Sequence, residues 1–167
     1  RCAQALGFPD ASWAQTDEMK SRLGEGVYIV GRHTLALSKW GTVTMKTIAT
    51  ASQECEAASL QKMTKDILVI GEMMKHSLAL NLVKKNGRED NQGLIKCLRK
   101  GGISNALASS RRAHGIKLAF LSDIWDQEDC DLEYLSGVMH PGDPYTKALD
   151  VIPIHQMSLI PLEAENV

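Results

Sequence analysis

Leu6, Phe8 and Asp10 share one parity, so a strand across this opening segment would place a carboxylate on the same face as two apolar side chains. That is a poor place for an idle charge. Gly26-Val27-Tyr28-Ile29-Val30 and Thr34-Leu35-Ala36-Leu37-Ser38-Lys39 are β-prone runs, and Gly31-Arg32-His33 between them predicts a hairpin. A further short run, Val43 to Ile48, is expected to pair alongside. From Ser52, the expected N-cap, to about Lys75 the period changes. Leu60, Met63, Ile67, Ile70 and Met74 stand three and four apart, which predicts one long helix. Continued toward the N-terminus, this stripe lands on Glu56, so an acid occupies the sheet-facing side where a leucine would be expected. Glu54 is expected to face solvent and to favour the helix dipole.

Leu78 to Val83 predicts a central strand, followed by the polar Lys84-Lys85-Asn86-Gly87-Arg88. Asp90 then precedes a short helical segment, Asn91 to Leu98, stopped by Gly101-Gly102. Ile116 to Trp125 reads as helical and Leu132 to Leu135 as a short strand. Pro144 to Leu149 could open a last helix with proline at its start. The order, hairpins and then alternating helices and strands, predicts a mixed-sheet α/β domain over residues 1–149, with 150–167 as a loose tail. In such sheets functional groups gather at strand ends and helix starts, and Asp10, Glu56, Asp90 and Asp143 all fall at such places.

At 167 residues, 44% hydrophobic and 23% charged, the chain suits one globular domain with a sizeable core. No apolar run approaches the roughly 20 residues that cross a bilayer, and Arg1-Cys2-Ala3-Gln4 lacks the layout of a signal peptide. A soluble protein inside the cell is expected, and the missing initiator methionine suggests a piece of a longer chain. Cys2, Cys55, Cys97 and Cys130 form no C-x-x-C, which argues for packed, reduced thiols over a zinc knuckle. His33, His76, His114, His140 and His155 also lack ligand-like spacing. Net charge is -1, yet the basic residues crowd between Lys84 and Lys117 and the acids follow them. A basic middle suits either a phosphate backbone or a solvated surface. Lys96, Arg99, Lys100, Arg111 and Arg112 are the candidate backbone contacts. Trp13 and Trp40 are candidates for nucleic-acid contact or for core.

Hard divalent cations bind clustered carboxylate oxygens, and two such ions can run phosphodiester hydrolysis. Singly, each of the four acids is ordinary. The blocks around them are less so: Asp10-Ala11-Ser12-Trp13-Ala14, then Thr47-Ile48-Ala49-Thr50-Ala51-Ser52-Gln53-Glu54-Cys55-Glu56, then Glu89-Asp90-Asn91-Gln92-Gly93, then Leu132-Glu133-Tyr134, and last Gly142-Asp143-Pro144-Tyr145-Thr146-Lys147-Ala148-Leu149. In this order they resemble the ribonuclease H domain of copia-type LTR retrotransposon polyproteins, with its S-D-A-D-W-A, S-S-T-E-A-E-Y, E-D-N-Q-S-A-I, L-E-Y and A-D-x-x-T-K-A-L. The resemblance covers about Leu6 to Leu149.

It implies a ribonuclease H-like mixed five-stranded sheet with helices on both faces. It also implies that Asp10, Glu56, Asp90 and Asp143 are the catalytic, metal-binding acids, Glu54 being the acid of E-A-E that the family does not use as a ligand. Two Mg²⁺ ions, replaceable by Mn²⁺, would serve endonucleolytic hydrolysis of the RNA strand of RNA/DNA hybrids, told apart by shape and 2′-hydroxyls. The implied partner besides the hybrid is the reverse transcriptase domain of the same polyprotein, without a membrane, in the cytoplasm or in virus-like particles. Two departures stand out. A polar run precedes Asp90 where the family has an apolar strand, and Arg112 to Phe120 matches K-H-I-D-I-R-Y-H-F without either histidine in register. They keep open a second reading, a decayed or repurposed copy that keeps the fold, and an integrase-like core is a third. His140, three residues before Asp143, is either an aid to product release or a plain loop histidine.

Overall fold

The computed structural model describes residues 3–14, 16, 18–102, 118–137, 140–142 and 146. The expectations for Cys2, Arg111, Arg112, His114, Lys117, Asp143, His155, a helix at Pro144 to Leu149 and the tail lie outside the described residues. Five strands, β1 (Ala3–Ser12), β2 (Arg22–Gly31), β3 (Thr34–Thr44), β4 (Lys84–Glu89) and β5 (Cys130–Tyr134), form one sheet in the order β3-β2-β1-β4-β5. The first three are antiparallel, and β4 and β5 run parallel to β1. The hairpin turns at Arg32-His33 as expected, while Val43 and Thr44 belong to the end of β3 rather than to a strand of their own. The helices are α1 (Ser52–Ser77), α2 (Gln92–Leu98) and α3 (Leu118–Trp125).

The main core joins the α1 stripe (Leu60, Met63, Ile67, Ile70, Met74) to Ala5 and Val27 of the sheet, with Leu94 and Leu98 of α2 and Leu118 and Leu121 of α3. All three described helices therefore pack on the Ala5 face. On the other face Leu6 and Phe8 pack with Tyr28, and the Phe8 ring meets His140 edge-on at 5.8 Å. Two glycines set how closely α1 approaches. Gly7 and Gly87 are level across β1 and β4. A Cβ on Gly7 would stand 2.1 Å from Met63 Sδ, and one on Gly87 would stand 3.3 Å from Met63 Cε. Met63 thus fills a groove that only paired glycines leave open.

The strand expected at Leu78 to Val83 is displaced. Helix α1 runs on to Ser77 and ends in a Schellman motif: Ala79 N–H bonds to His76 C=O, Leu80 N–H bonds to Lys75 C=O, and Ala79 takes φ 49°. Leu78 to Leu80 close the helix, the rest of the apolar run only connects it onward, and the polar Lys84–Glu89 becomes β4. It is tolerated because its side chains find partners: Lys85 pairs with Asp129, Arg88 with Glu133, and Asn86 bonds Gln4 at 2.7 Å. The basic segment is therefore not a continuous free surface. Cys55, Cys97 and Cys130 are buried free thiols.

Candidate active site

The sheet geometry brings three acids level. The β1–β4 register pairs Gln4 with Lys84 through Gly7 with Gly87, an offset that, carried three residues further, sets Asp10 beside Asp90. From Gly7 to Asp10 the chain advances ~10 Å along β1, at about 3.3 Å per residue. From Met63 back to Glu56 is two turns of α1, ~10.5 Å on the same helix face. Because Met63 sits over Gly7 and α1 starts at the C-terminal end of β1, Glu56 arrives level with Asp10 at the strand end, although Asp10 has the parity of Leu6 and Phe8. The outcome is direct: one carboxylate oxygen each from Asp10, Glu56 and Asp90 lie within 4.8 Å of one another.

The backbone at each acid is fixed. Asp10 N–H donates to Ser59 Oγ at 3.2 Å, and that hydroxyl donates to Gly24 C=O at 2.6 Å, tying β1, α1 and β2 together. Asn91 caps α2 by accepting Leu94 N–H at 3.0 Å, while Asn91 N–H donates to Glu89 Oε1 at 3.0 Å, so the backbone on the C-terminal side of Asp90 is fixed by the cap. Glu54 departs from expectation. It is buried and reaches back to Thr50, accepting the N–H at 2.6 Å and the hydroxyl at 2.8 Å, in the manner of a capping box. The expected N-cap Ser52 lies inside the helix, and Ala51 occupies the cap without a side-chain bond.

The electrostatics are those of a site built for positive charge. Burial, then the nearby carboxylates of Glu89, Asp10 and Asp90, push the Glu56 carboxyl up to about 10. Burial holds Glu89, fully enclosed next to Asp90, well above the usual carboxylate range, with the Asn91 N–H pulling the other way. Glu56 Oε2 and Glu89 Oε2 are buried without a hydrogen-bond partner. All-oxygen, all-carboxylate donors suit Mg²⁺ or Mn²⁺. Oxygens around one octahedral ion stand about 3 to 4.2 Å apart for bonds of about 2.1 Å, so the cluster needs only a small contraction to hold one. The residues present fit the implied metal.

Asp143 is outside the described residues, but Gly142 and Thr146 on either side of it both meet Asp10. A Cβ on Gly142 would lie 2.8 Å from Asp10 Cβ, and the Thr146 hydroxyl donates to Asp10 Oδ2. His140 is neither exposed nor free. Its Nδ1 accepts Gly142 N–H at 3.2 Å, which leaves Nε2 to donate to Arg88 C=O at 2.8 Å. Sequence reasoning missed this tie and the roles of Ser59 and Thr146, because their partners are remote in the chain. Lys96, Arg99 and Lys100 are exposed on and after α2, with Arg99 reaching Leu132 C=O at 3.5 Å. Trp13 and Trp40 are exposed rather than core, and Trp13 Nε1 donates to Ala49 C=O at 3.1 Å.

A five-stranded sheet in this order, with three acids meeting at the ends of β1 and β4 and the start of α1, defines a ribonuclease H fold. Solved ribonucleases H1 are among the structures similar to it. RNase H1 from the halophilic archaeon Halobacterium salinarum NRC-1 aligns with a TM-score of 0.56 at 12% identity, over 86% of this chain and 94% of the archaeal one. An RNase H1 isolated from compost by a metagenomic approach aligns with a TM-score of 0.55 at 10% identity, over 86% of this chain and 92% of that one. The likeness is one of fold. No family model and no curated protein matches the sequence.

Proposed function

We propose that this chain is a divalent-metal-dependent nuclease that hydrolyses the RNA strand of RNA/DNA hybrids, and that it derives from the reverse-transcribing polyprotein of a copia-type element. The convergence of Asp10, Glu56 and Asp90 on a ribonuclease H fold carries the reading. Asp143, in the matching A-D-x-x-T-K-A-L position, is proposed as the fourth acid. When bound, two Mg²⁺ ions would supply an activated water and neutralise charge on the scissile phosphate. The carboxylates of this chain hold that positive charge in a low-dielectric setting, already oriented by Ser59, Asn91 and the strand register. Lys96, Arg99 and Lys100, with Arg111 and Arg112, are proposed to follow the nucleic-acid backbone. The polar run before Asp90, which at first favoured a decayed copy, forms strand β4 and leads straight into the acid, which supports the active reading.

The test is cleavage of a labelled RNA/DNA hybrid with Mg²⁺ by the parent chain and by Asp10→Asn and Glu56→Gln. Endonucleolytic products from the parent and none from the variants are expected. A parent that neither cleaves nor binds Mn²⁺ would return the chain to the reading of a decayed copy.

A further inference from the structure

Asp10 stands on rigid backbone, but its carboxylate can still turn. The last torsion of an aspartate, between sp³ and sp² atoms, has a broad and shallow profile, so packing alone fixes the plane of the carboxylate poorly. In the cluster that plane decides whether an oxygen faces Glu56 and Asp90. The Thr146 hydroxyl donates to Asp10 Oδ2. Thr146 is wholly buried, and its own carbonyl accepts from Ser12 Oγ at 3.2 Å, so the hydroxyl is held against β1 by a second bond two residues beyond Asp10. A carboxylate offers about four lone-pair sites, so one bond to a hydroxyl leaves capacity for a cation.

From this geometry we infer that Thr146 is a positioning residue of the acid cluster: its hydroxyl fixes the orientation in which Asp10 meets a divalent cation. The inference rests on the proposed metal site and adds to it a group that never touches the cation. Gly142 and Thr146, which bracket Asp143 in sequence, both meet Asp10. Partners that orient a ligand in this way typically change metal affinity about 10–100-fold when removed.

The test uses the full chain, Mn²⁺ as the probe, and the variants Thr146→Val, Thr146→Ser and Asp10→Asn. Calorimetric titration measures affinity, and melting in EDTA and in Mn²⁺ measures the metal-induced shift in Tm. Thr146→Val keeps the shape and removes the hydroxyl; it is expected to weaken Mn²⁺ binding at least about tenfold and to shrink the metal-induced shift, while Thr146→Ser stays within about threefold of the parent. A merely structural hydroxyl would lower both melting temperatures equally and leave their difference intact. Mn²⁺ binding that is lost in Asp10→Asn but unchanged in Thr146→Val would overturn this inference alone. No Mn²⁺ binding by the parent would overturn the metal site itself and the inference with it.

Discussion

His140 donates its Nε2–H to the backbone carbonyl of Arg88 at 2.8 Å, two residues before Asp90, and accepts Gly142 N–H on its other ring nitrogen. The imidazole is therefore a strut between the end of β4 and the segment that leads to Asp143. His140→Ala is expected to destabilise the chain by about 2–4 kcal/mol, since it opens a cavity beside Phe8 and strands two backbone groups. Urea unfolding at neutral pH measures this. A mobile histidine serving product release would instead leave the unfolding midpoint where it was and slow turnover only.

Ala79 closes α1 from the left-handed region, at φ 49°, where a Cβ is costly. Ala79→Gly is expected to stabilise the protein by about 0.5–1 kcal/mol, relief of that strain outweighing the entropy a glycine adds to the unfolded chain. Thermal unfolding should show a rise of a few degrees. A fall would mean that the motif does not persist in solution.

The acid cluster makes metal-free stability depend on pH. The folded Glu56 carboxyl, pushed up to about 10 from an ordinary 4.5, holds its proton more tightly than the unfolded chain does, and Glu89 is displaced in the same direction. Their contribution is fully present below about pH 4.5 and is lost progressively as pH rises toward 10. Asp129, held below its ordinary 3.8 by Lys85, acts in the opposite sense only in strong acid. In EDTA, Tm should therefore fall between pH 5 and 9, and Glu56→Gln should flatten the fall. A divalent cation should restore stability most at the alkaline end. A Tm independent of pH in EDTA would contradict the crowding of these carboxylates.

Lys85 lies buried in β4, its ammonium on Asp129 and its stem against Gly71 of α1. Asp129→Ala leaves that ammonium uncompensated and is expected to cost about 1–3 kcal/mol, less than a fully enclosed pair because Asp129 is partly exposed. Lys85→Met keeps the stem and removes the charge, and should change stability by less than about 1 kcal/mol. Chemical denaturation of both variants compares them, and equal losses would show that packing rather than charge governs the site.

β4 also marks where the sequence could be read and where it could not. The α1 stripe was legible because apolar residues at helical spacing need only one partner surface, and the same phase put Glu56 on the sheet side. The strand beside it was not, because Lys85, Asn86 and Arg88 are compensated by Asp129, Gln4 and Glu133, residues that no local pattern connects to them. The apolar run Leu78 to Val83 had the composition of a strand, but Leu78 to Leu80 close the helix and the rest only connects it to β4. Glu54 misled for a related reason. Its helical phase points outward, yet its side chain folds back to Thr50, an option that a face diagram cannot represent. Asp10 and Glu56 were found because each breaks the apolar pattern around it, whereas Asp90, set in a polar run, was found only through the Glu89-Asp90-Asn91-Gln92 block of the resemblance. Ser59, Thr146 and His140 were missed because each looks ordinary until its distant partner is known.

The bond from Thr146 to Asp10 joins residues 136 apart in sequence, whereas that from Asp10 to Ser59 joins residues 49 apart. In loop-closure entropy the longer span costs only about 0.9 kcal/mol more, so the finished molecule hardly registers the difference. A growing chain does. Synthesis proceeds from the N-terminus at about 5–20 residues per second, and every strand of the sheet has been made once Tyr134 is added. On the ribosome, then, every described strand is made before Thr146, and Asp10 gains this neighbour only after the whole sheet has been synthesised.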